Sequence, residues 1–308
     1  MEKIKKRFLE IEGKNIFTRI NPSYFIDLYL GHDDQGRYAI KYRGNFLPEN
    51  RIKPVAGIAV NQYKNKDFNT LQFSLMHNDS KELFFTFCED IIETTKSISD
   101  NRNAYKTILD RYYSWKKMFS TTKKLLSESE IMGLIGELLF LRDYLFKKYG
   151  KGEALNSWSG QEMTHKDFSY NDIWYEVKAI HSGKDSVKIS SLEQLQSINE
   201  GELIVFTLEK MSTSYDGIKI NTLALEILNS LDLDVRKDHF LSSIMSQGFI
   251  FDESYDEFVF EIVSTSRYLV NSDFPKLTRN DVNDAILKAQ YDLSLAILNK
   301  YLISKSWI

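Results

Sequence analysis

The stretch Asp167 to Lys178, DFSYNDIWYEVK, limits the possible folds more than any other part of the chain. Its second half has strand periodicity. Ile173, Tyr175, Val177 and Ala179 fall on one face, and Trp174, Glu176, Lys178 and Ile180 on the other. Glu176 and Lys178 thus sit side by side on a strand whose remaining positions are apolar, the pattern of a buried or half-buried sheet that carries charge. Tyr170, Asn171 and Asp172 have turn composition, which places Asp167 on a preceding antiparallel strand, opposite Glu176. Two carboxylates and a lysine then converge. Carboxylates a few ångströms apart repel unless a cation lies between them, and hard oxygen ligands open to water favour Mg2+, with Mn2+ as a substitute. Lys178 cannot ligate such an ion but can orient an attacking water or stabilise charge on a phosphate. The blander reading is a solvated ion pair on an edge strand, worth under about 1 kcal/mol. A bare E-x-K triplet is weak, since another occurs at Glu12, Gly13, Lys14 with no acidic strand before it.

The segment upstream adds weight. Ser127 with Glu130 forms a capping-box pattern, and Ile131, Leu134, Ile135, Leu138, Leu139 and Leu145 recur at helical spacing to about Tyr149. Gly133 and Gly136 inside a helix cost about 1 kcal/mol each relative to alanine, so a close neighbour is expected at both. That face carries Glu137 towards the carboxylates. Asn156 to Gly160 reads as a short strand and turn, with Trp158 as a core plug or, less simply, a base-stacking ring. His165 shares a strand face with Asp167 by period two, as an aid to water or phosphate or as a hydrogen-bond partner of the carboxylate. Ser190 or Ser191 caps an expected helix through LEQLQSI that offers Gln194 to the cluster, and ELIVFTLEKM makes an apolar strand.

With GELLFL at 136 to 141, WSG at 158 to 160, KDF at 166 to 168 and YEVKA at 175 to 179, the chain resembles the PD-(D/E)XK nuclease superfamily, and within it a bacterial family described as its members. The resemblance is close over roughly residues 125 to 210 and loose elsewhere. It implies a restriction-endonuclease-like αβββαβ core, α/β in itself and part of an α+β chain. It also implies a metal held by Asp167, Glu176 and the Val177 carbonyl, Lys178 acting on water, and Glu137 completing the catalytic set. Lys166 stands where proline is common in the superfamily. The implied activity is metal-dependent hydrolysis of DNA in a bacterial restriction or phage-defence setting, with other defence-system proteins or a homodimer as implied partners. The alternative is a catalytically silent nuclease fold that serves as a DNA-binding or complex-assembly module.

The remainder of the chain frames this core. A 43% hydrophobic content over 308 residues is enough for two or three cores. The charged segment MEKIKKRFLEIEGK is unlike a secretory signal, no apolar run reaches the roughly 18 residues of a membrane span, and the lone Cys88 lies in an apolar run. A cytoplasmic protein without membrane contact is expected. A net charge of -3 argues neither for nor against nucleic acid.

Residues 1–100 are expected to form a β-rich N-terminal α+β domain, with hairpins at YFIDLYL/RYAIKYR and VAGIAVNQY/TLQFSLM and a helix through ELFFTFCEDIIETTKSI. Residues 101–212 are expected to form the nuclease core. Its opening helix, RNAYKTILDRYYSWKKMF, is amphipathic with a solvated basic face or else tracks a nucleic-acid backbone. Residues 213–308 are expected to be a mostly helical extension, with helices in NTLALEILNSL and DHFLSSIMSQGF, a strand in FVFEIVSTSRYLV and a long helix from about Asn280.

Overall fold

Asp33 shapes a tight turn near the start of the molecule. Its Oδ1 accepts the backbone N–H groups of Gln35 and Arg37 at 3.0 and 2.9 Å, its Oδ2 accepts Arg37 Nε at 2.8 Å, and Gly36 supplies the left-handed φ of +81°. In the computed structural model, which describes residues 2–49, 52, 53, 55, 57–119, 125–158 and 166–305, this turn joins two strands of an antiparallel sheet. The chain divides into two units, Met1–Lys124 with Ile250–Glu253, and Leu125–Phe249 with Ser254–Ile308.

The first unit opens with α1 (Glu2–Leu9), followed by β1 (Ile16–Arg19), β2 (Asp27–His32), β3 (Tyr38–Gly44), β4 (Ile58–Lys64) and β5 (Asn69–Leu75). The strands are antiparallel in the order β1-β2-β3-β5-β4, and both hairpins lie where alternation places them. Helices α2 (Lys81–Thr95) and α3 (Asn101–Phe119) cover one sheet face, where Phe73 meets the rings of Phe87 and Tyr112 at 5.5 and 5.0 Å. In α3, Tyr105, Tyr112 and Trp115 point inward, and fully buried Arg111 donates to Asp90 of α2 at 2.6 Å. The interleaved aromatics therefore belong to an amphipathic helix, and α3 packs with the N-terminal unit. This differs from the boundary expected after residue 100.

The second unit begins with α4 (Glu128–Phe140), capped by Ser127 and Glu130 as their spacing indicates. A π turn, Leu141–Leu145, leads into α5 (Phe146–Ser157), which is interrupted at Gly150, φ +77°. Strands β6 (Phe168–Tyr170) and β7 (Ile173–His181) form a hairpin across Asn171, which takes the left-handed φ of +52°. Next come β8 (Ser186–Ile189), β9 (Gly201–Met211), α6 (Ile220–Ser230), α7 (Asp234–Ser246), β10 (Val259–Val270), β11 (Tyr291–Ser294), α8 (Leu295–Leu298) and β12 (Leu302–Lys305). The main sheet runs β12-β10-β9-β7-β6, with β7 and β9 parallel, and β8 pairs with β11 in a separate ladder. The fold is mixed α+β.

Helix α4 packs on the Val177 and Ala179 face of the sheet. A Cβ built at Gly136 would lie 3.4 Å from both side chains, in ordinary van der Waals contact, so this glycine faces the sheet without being required by it. At Gly133 nothing lies within 4 Å, and the neighbour expected there is not found. The opposite face of the sheet buries Trp174, Leu203 and Val205 with Val187, Ile189 and Leu195.

Three expectations are corrected. The helix through LEQLQSI is a single 3-10 turn, Leu192–Gln194, because Gln194 folds back to accept the Ser190 N–H at 2.7 Å. The long C-terminal helix is absent. Thr278 and Asp281 close a short turn instead, and β11 is drawn into strand pairing by Ile189 and Val187, so the extension is helical only in α6, α7 and short α8. The strand expected at 156 to 160 shrinks to a bridge between Trp158 and Phe168; Asn156 and Ser157 end α5, and Ser159 and Gly160 lie outside the described residues. Among the described residues no helix is long and apolar enough to cross a membrane.

Candidate functional site

The β6–β7 register pairs Phe168 with Tyr175 and so brings Asp167, one residue earlier, to the level of Glu176 and Val177. Asp167 Oδ2 accepts the Val177 N–H at 2.7 Å, which fixes the carboxylate against β7. Glu176, the residue before Val177 on β7, has no exposed surface and feels the Asp167 charge. Lys178 Nζ stands 2.6 Å from Glu176 Oε1, while Glu176 Oε2 is buried without a hydrogen-bond partner. From α4, Glu137 turns its Oε2 to Trp158 Nε1 at 2.7 Å and to Gln247 Nε2 at 2.9 Å.

Burial and like charge dominate the electrostatics. Burial first, and then the Asp167 charge, push Glu137 up to about 8, against the opposing hydrogen bonds from Trp158 and Gln247 and the charge of Lys178. The same two causes push Glu176 up to about 8, opposed by Lys178 and Lys166. Asp167 is raised by burial, and Lys178, the Val177 N–H and Lys166 resist the rise. Burial works against the Lys178 ammonium, but Glu176, Asp167 and Glu137 outweigh it and hold the group above its ordinary value. Lys178 is therefore protonated throughout the neutral range. Were all three carboxylates ionised, the set would carry more negative charge than one lysine balances, and the two glutamates hold protons instead.

A family model described as "Putative PD-(D/E)XK family member, (DUF4420)" matches residues 4–296. The chain belongs to this family. No curated protein and no solved structure gave a match.

The match spans both units of this PD-(D/E)XK family member, whereas the sequence resemblance was close only over 125 to 210. Of the residues singled out from sequence, the structure gathers Glu137, Asp167, Glu176 and Lys178 in one mutually interacting group. His165 lies outside the described residues. Among the described residues Gln194 does not offer its side chain to the carboxylates: its Oε1 accepts the Ser190 N–H, and its carbonyl accepts from Lys166.

Three contributors escaped the sequence reading. Trp158 is buried as a core plug would be, yet its indole N–H serves Glu137. Gln247 reaches Glu137 from just beyond α7, 110 residues away, with no local signal. Lys166 donates to the carbonyls of Glu193 and Gln194 and lies 4.0 Å from the Trp174 ring centroid, tying the residue before Asp167 to the 192–194 turn. Burial pulls its ammonium down to about 8, opposed by Glu176.

Among the described residues no three His, Cys, Asp or Glu side chains are gathered so as to hold a metal by themselves. A divalent ion would thus rest on two carboxylates, a backbone carbonyl and water. The unsatisfied Glu176 Oε2 and the crowding of carboxylates that otherwise hold protons fit such an ion, which would take the protons' place.

Proposed function

We propose that this family member is a divalent-metal-dependent nuclease that hydrolyses DNA phosphodiester bonds. The observation that carries the reading is the crowding of Glu137, Asp167 and buried Glu176 around one lysine, with a Glu176 oxygen left unpartnered. Burying carboxylates that repel one another weakens a fold, so their convergence argues for a chemical task. Asp167, Glu176 and the Val177 carbonyl would hold Mg2+, or Mn2+ in its place. Bound there, the ion would polarise the phosphate and raise the acidity of a coordinated water. Lys178 stays charged and so cannot act as a base; it directs its ammonium to the attacking water or to the charge growing on the phosphate. Glu137, held by Trp158 and Gln247, keeps its proton near neutral pH and can hydrogen-bond a phosphate oxygen or water.

We read α4, β6, β7 and β9 as the restriction-endonuclease-like core, with the helix before the last strand reduced to the 192–194 turn. A bacterial restriction or phage-defence role, defence-protein partners and a homodimer complete the proposal and rest on the family resemblance alone; a cytoplasmic location, also proposed, rests on the charged N-terminal segment and the lone Cys88.

Calorimetric titration with Mn2+ and cleavage of DNA in Mg2+ test the reading together. Lys178→Ala should lower cleavage by about a hundredfold to a thousandfold while the ion still binds. Asp167→Ala combined with Glu176→Ala should lose both. Full cleavage by Lys178→Ala, or ion binding that survives the double substitution, would remove the assignment. Binding of DNA without cleavage in the wild type would favour the silent module.

A further inference from the structure

The carboxylate cluster leaves the first unit unused, and the sheet of that unit has two unlike faces. One face is apolar and covered by α2 and α3. On the other, the register sets Arg19, Tyr29, Lys41, Gln72 and Asn61 in one row across all five strands, Gln72 buried and the other four partly exposed. Phe17 and Arg43 lie in the flanking rows. Lys41 Nζ sits 3.4 Å above the Phe17 ring centroid, and the Arg43 guanidinium lies over Phe68 at 4.4 Å and Tyr29 at 5.1 Å.

Charge on this face is unbalanced. Arg19 is paired with Asp27, whereas among the described residues neither Lys41 nor Arg43 is in an ion pair, and Arg43 Nε has no hydrogen-bond partner. Burial, and then the neighbouring Arg43 charge, hold the Lys41 ammonium below its ordinary value. Two half-buried like charges on aromatic beds are unfavourable until an anion joins them. A five-stranded face is about 19 Å across. It is too broad for the roughly 12 Å major groove of a duplex, whereas a strand with unstacked bases can lie along it and meet both its cations and its rings.

We propose that this polar face of the N-terminal sheet binds single-stranded nucleic acid, with phosphate oxygens on Lys41 and Arg43 and bases against the rings of Tyr29 and Phe17. The site goes beyond the proposed hydrolysis and stands whether or not the carboxylates cleave.

Fluorescence anisotropy of the full chain in a metal chelator tests it, with a short dye-labelled single strand and the matching duplex as probes over a potassium chloride series. The single strand should bind more tightly than the duplex. Lys41→Gln with Arg43→Gln should flatten the dependence of log K on log salt by about 1.4, from about 0.7 per lost phosphate contact. Tyr29→Ala should weaken binding about tenfold with the slope unchanged. Absence of single-strand binding, preference for the duplex, or an unchanged salt slope would overturn the proposal. The Asp167→Ala, Glu176→Ala protein should bind the strand as the wild type does, which separates failure here from failure of the nuclease reading. Ultraviolet cross-linking of a bromouracil-substituted strand to the wild type needs no substitution. Cross-links in peptides from 16–43 are expected, and cross-links confined to 125–305 would refute the site.

Discussion

Replacing Glu176 by glutamine keeps the shape of the side chain and removes its charge, which makes it a sharp probe of what the cluster is for. In the folded chain Glu176 rises from an ordinary 4.5 to about 8, so the folded state keeps a proton that the unfolded chain releases. Its contribution to stability is greatest below pH 4.5, declines as the pH climbs from about 4.5 to about 8, and is lowest above that. Across the interval the loss is at most about 5 kcal/mol. Asp167 and Glu137 are part of the same charged group, so the wild type relieves part of the strain by keeping a proton on a neighbour. That trims the expected advantage of Glu176→Gln to about 2 kcal/mol. For a unit of this size it corresponds to roughly 4–8 °C in melting temperature.

Melting curves in chelator near pH 9 should therefore place Glu176→Gln above the wild type, and near pH 5 the two should converge. Saturating Mn2+ should reverse the order, because only the wild type gains stability from binding the ion. A variant that melts at or below the wild type near pH 9 without metal would refute the reasoning. It would show that the Glu176–Lys178 contact is a net stabilising ion pair, and the case for a metal site would lose its main support.

Lys166→Met separates two roles of that lysine: loss of a repelling cation alone would tighten Mn2+ binding, whereas loss of the tie to the 192–194 turn loosens Asp167 and weakens it. Weaker binding by calorimetry is expected, with the melting temperature followed alongside. Trp158→Phe removes a hydrogen bond that favours the Glu137 carboxylate, so the Glu137 limb in a pH–rate profile of DNA cleavage should move upward by about one pH unit; no movement, or a downward one, would deny the contact its effect. Gly136→Ala meets only ordinary contacts and should stabilise by up to about 1 kcal/mol through helix propensity. At Gly201 a Cβ would fall 2.1 Å from the Trp174 ring, so Gly201→Ala should destabilise by about 3 kcal/mol in denaturant melts, and a neutral result would contradict the packing.

What could be read from the sequence, and what could not, follows from the range of each signal. The period-two pattern of β7 and the turn at Asn171 are local, and together they bring Asp167 to Glu176 before any tertiary contact is considered. The capping box and spacing of α4 are equally local and deliver Glu137. Gln247 is invisible because its reason for being there lies 110 residues away, and Trp158 was legible as a buried ring but not as a donor. The C-terminal error has a different cause. Apolar residues around Tyr291, Leu293 and Leu298 satisfy helical and strand periods equally well, and the choice is made by pairing with β8, a partner that no window on the segment contains.

The open sheet face of the first unit shows the same limit. Lys41 and Arg43 look like ordinary strand charges until the register of five strands lays them beside Phe17, Tyr29 and Phe68, with the neighbouring carboxylate of Asp27 already paired to Arg19. In both units the informative residues are those that break the rule for their position: carboxylates where the core should be apolar, and cations set on rings without counter-charge. Such departures cost stability, and they persist where something outside the chain, an ion or a phosphate, completes the balance. On that argument the two sites are linked by chemistry. One is short of a cation and the other of an anion, so a metal should stabilise the second unit and a single strand the first, each measurable as a separate shift in the melting of the same protein.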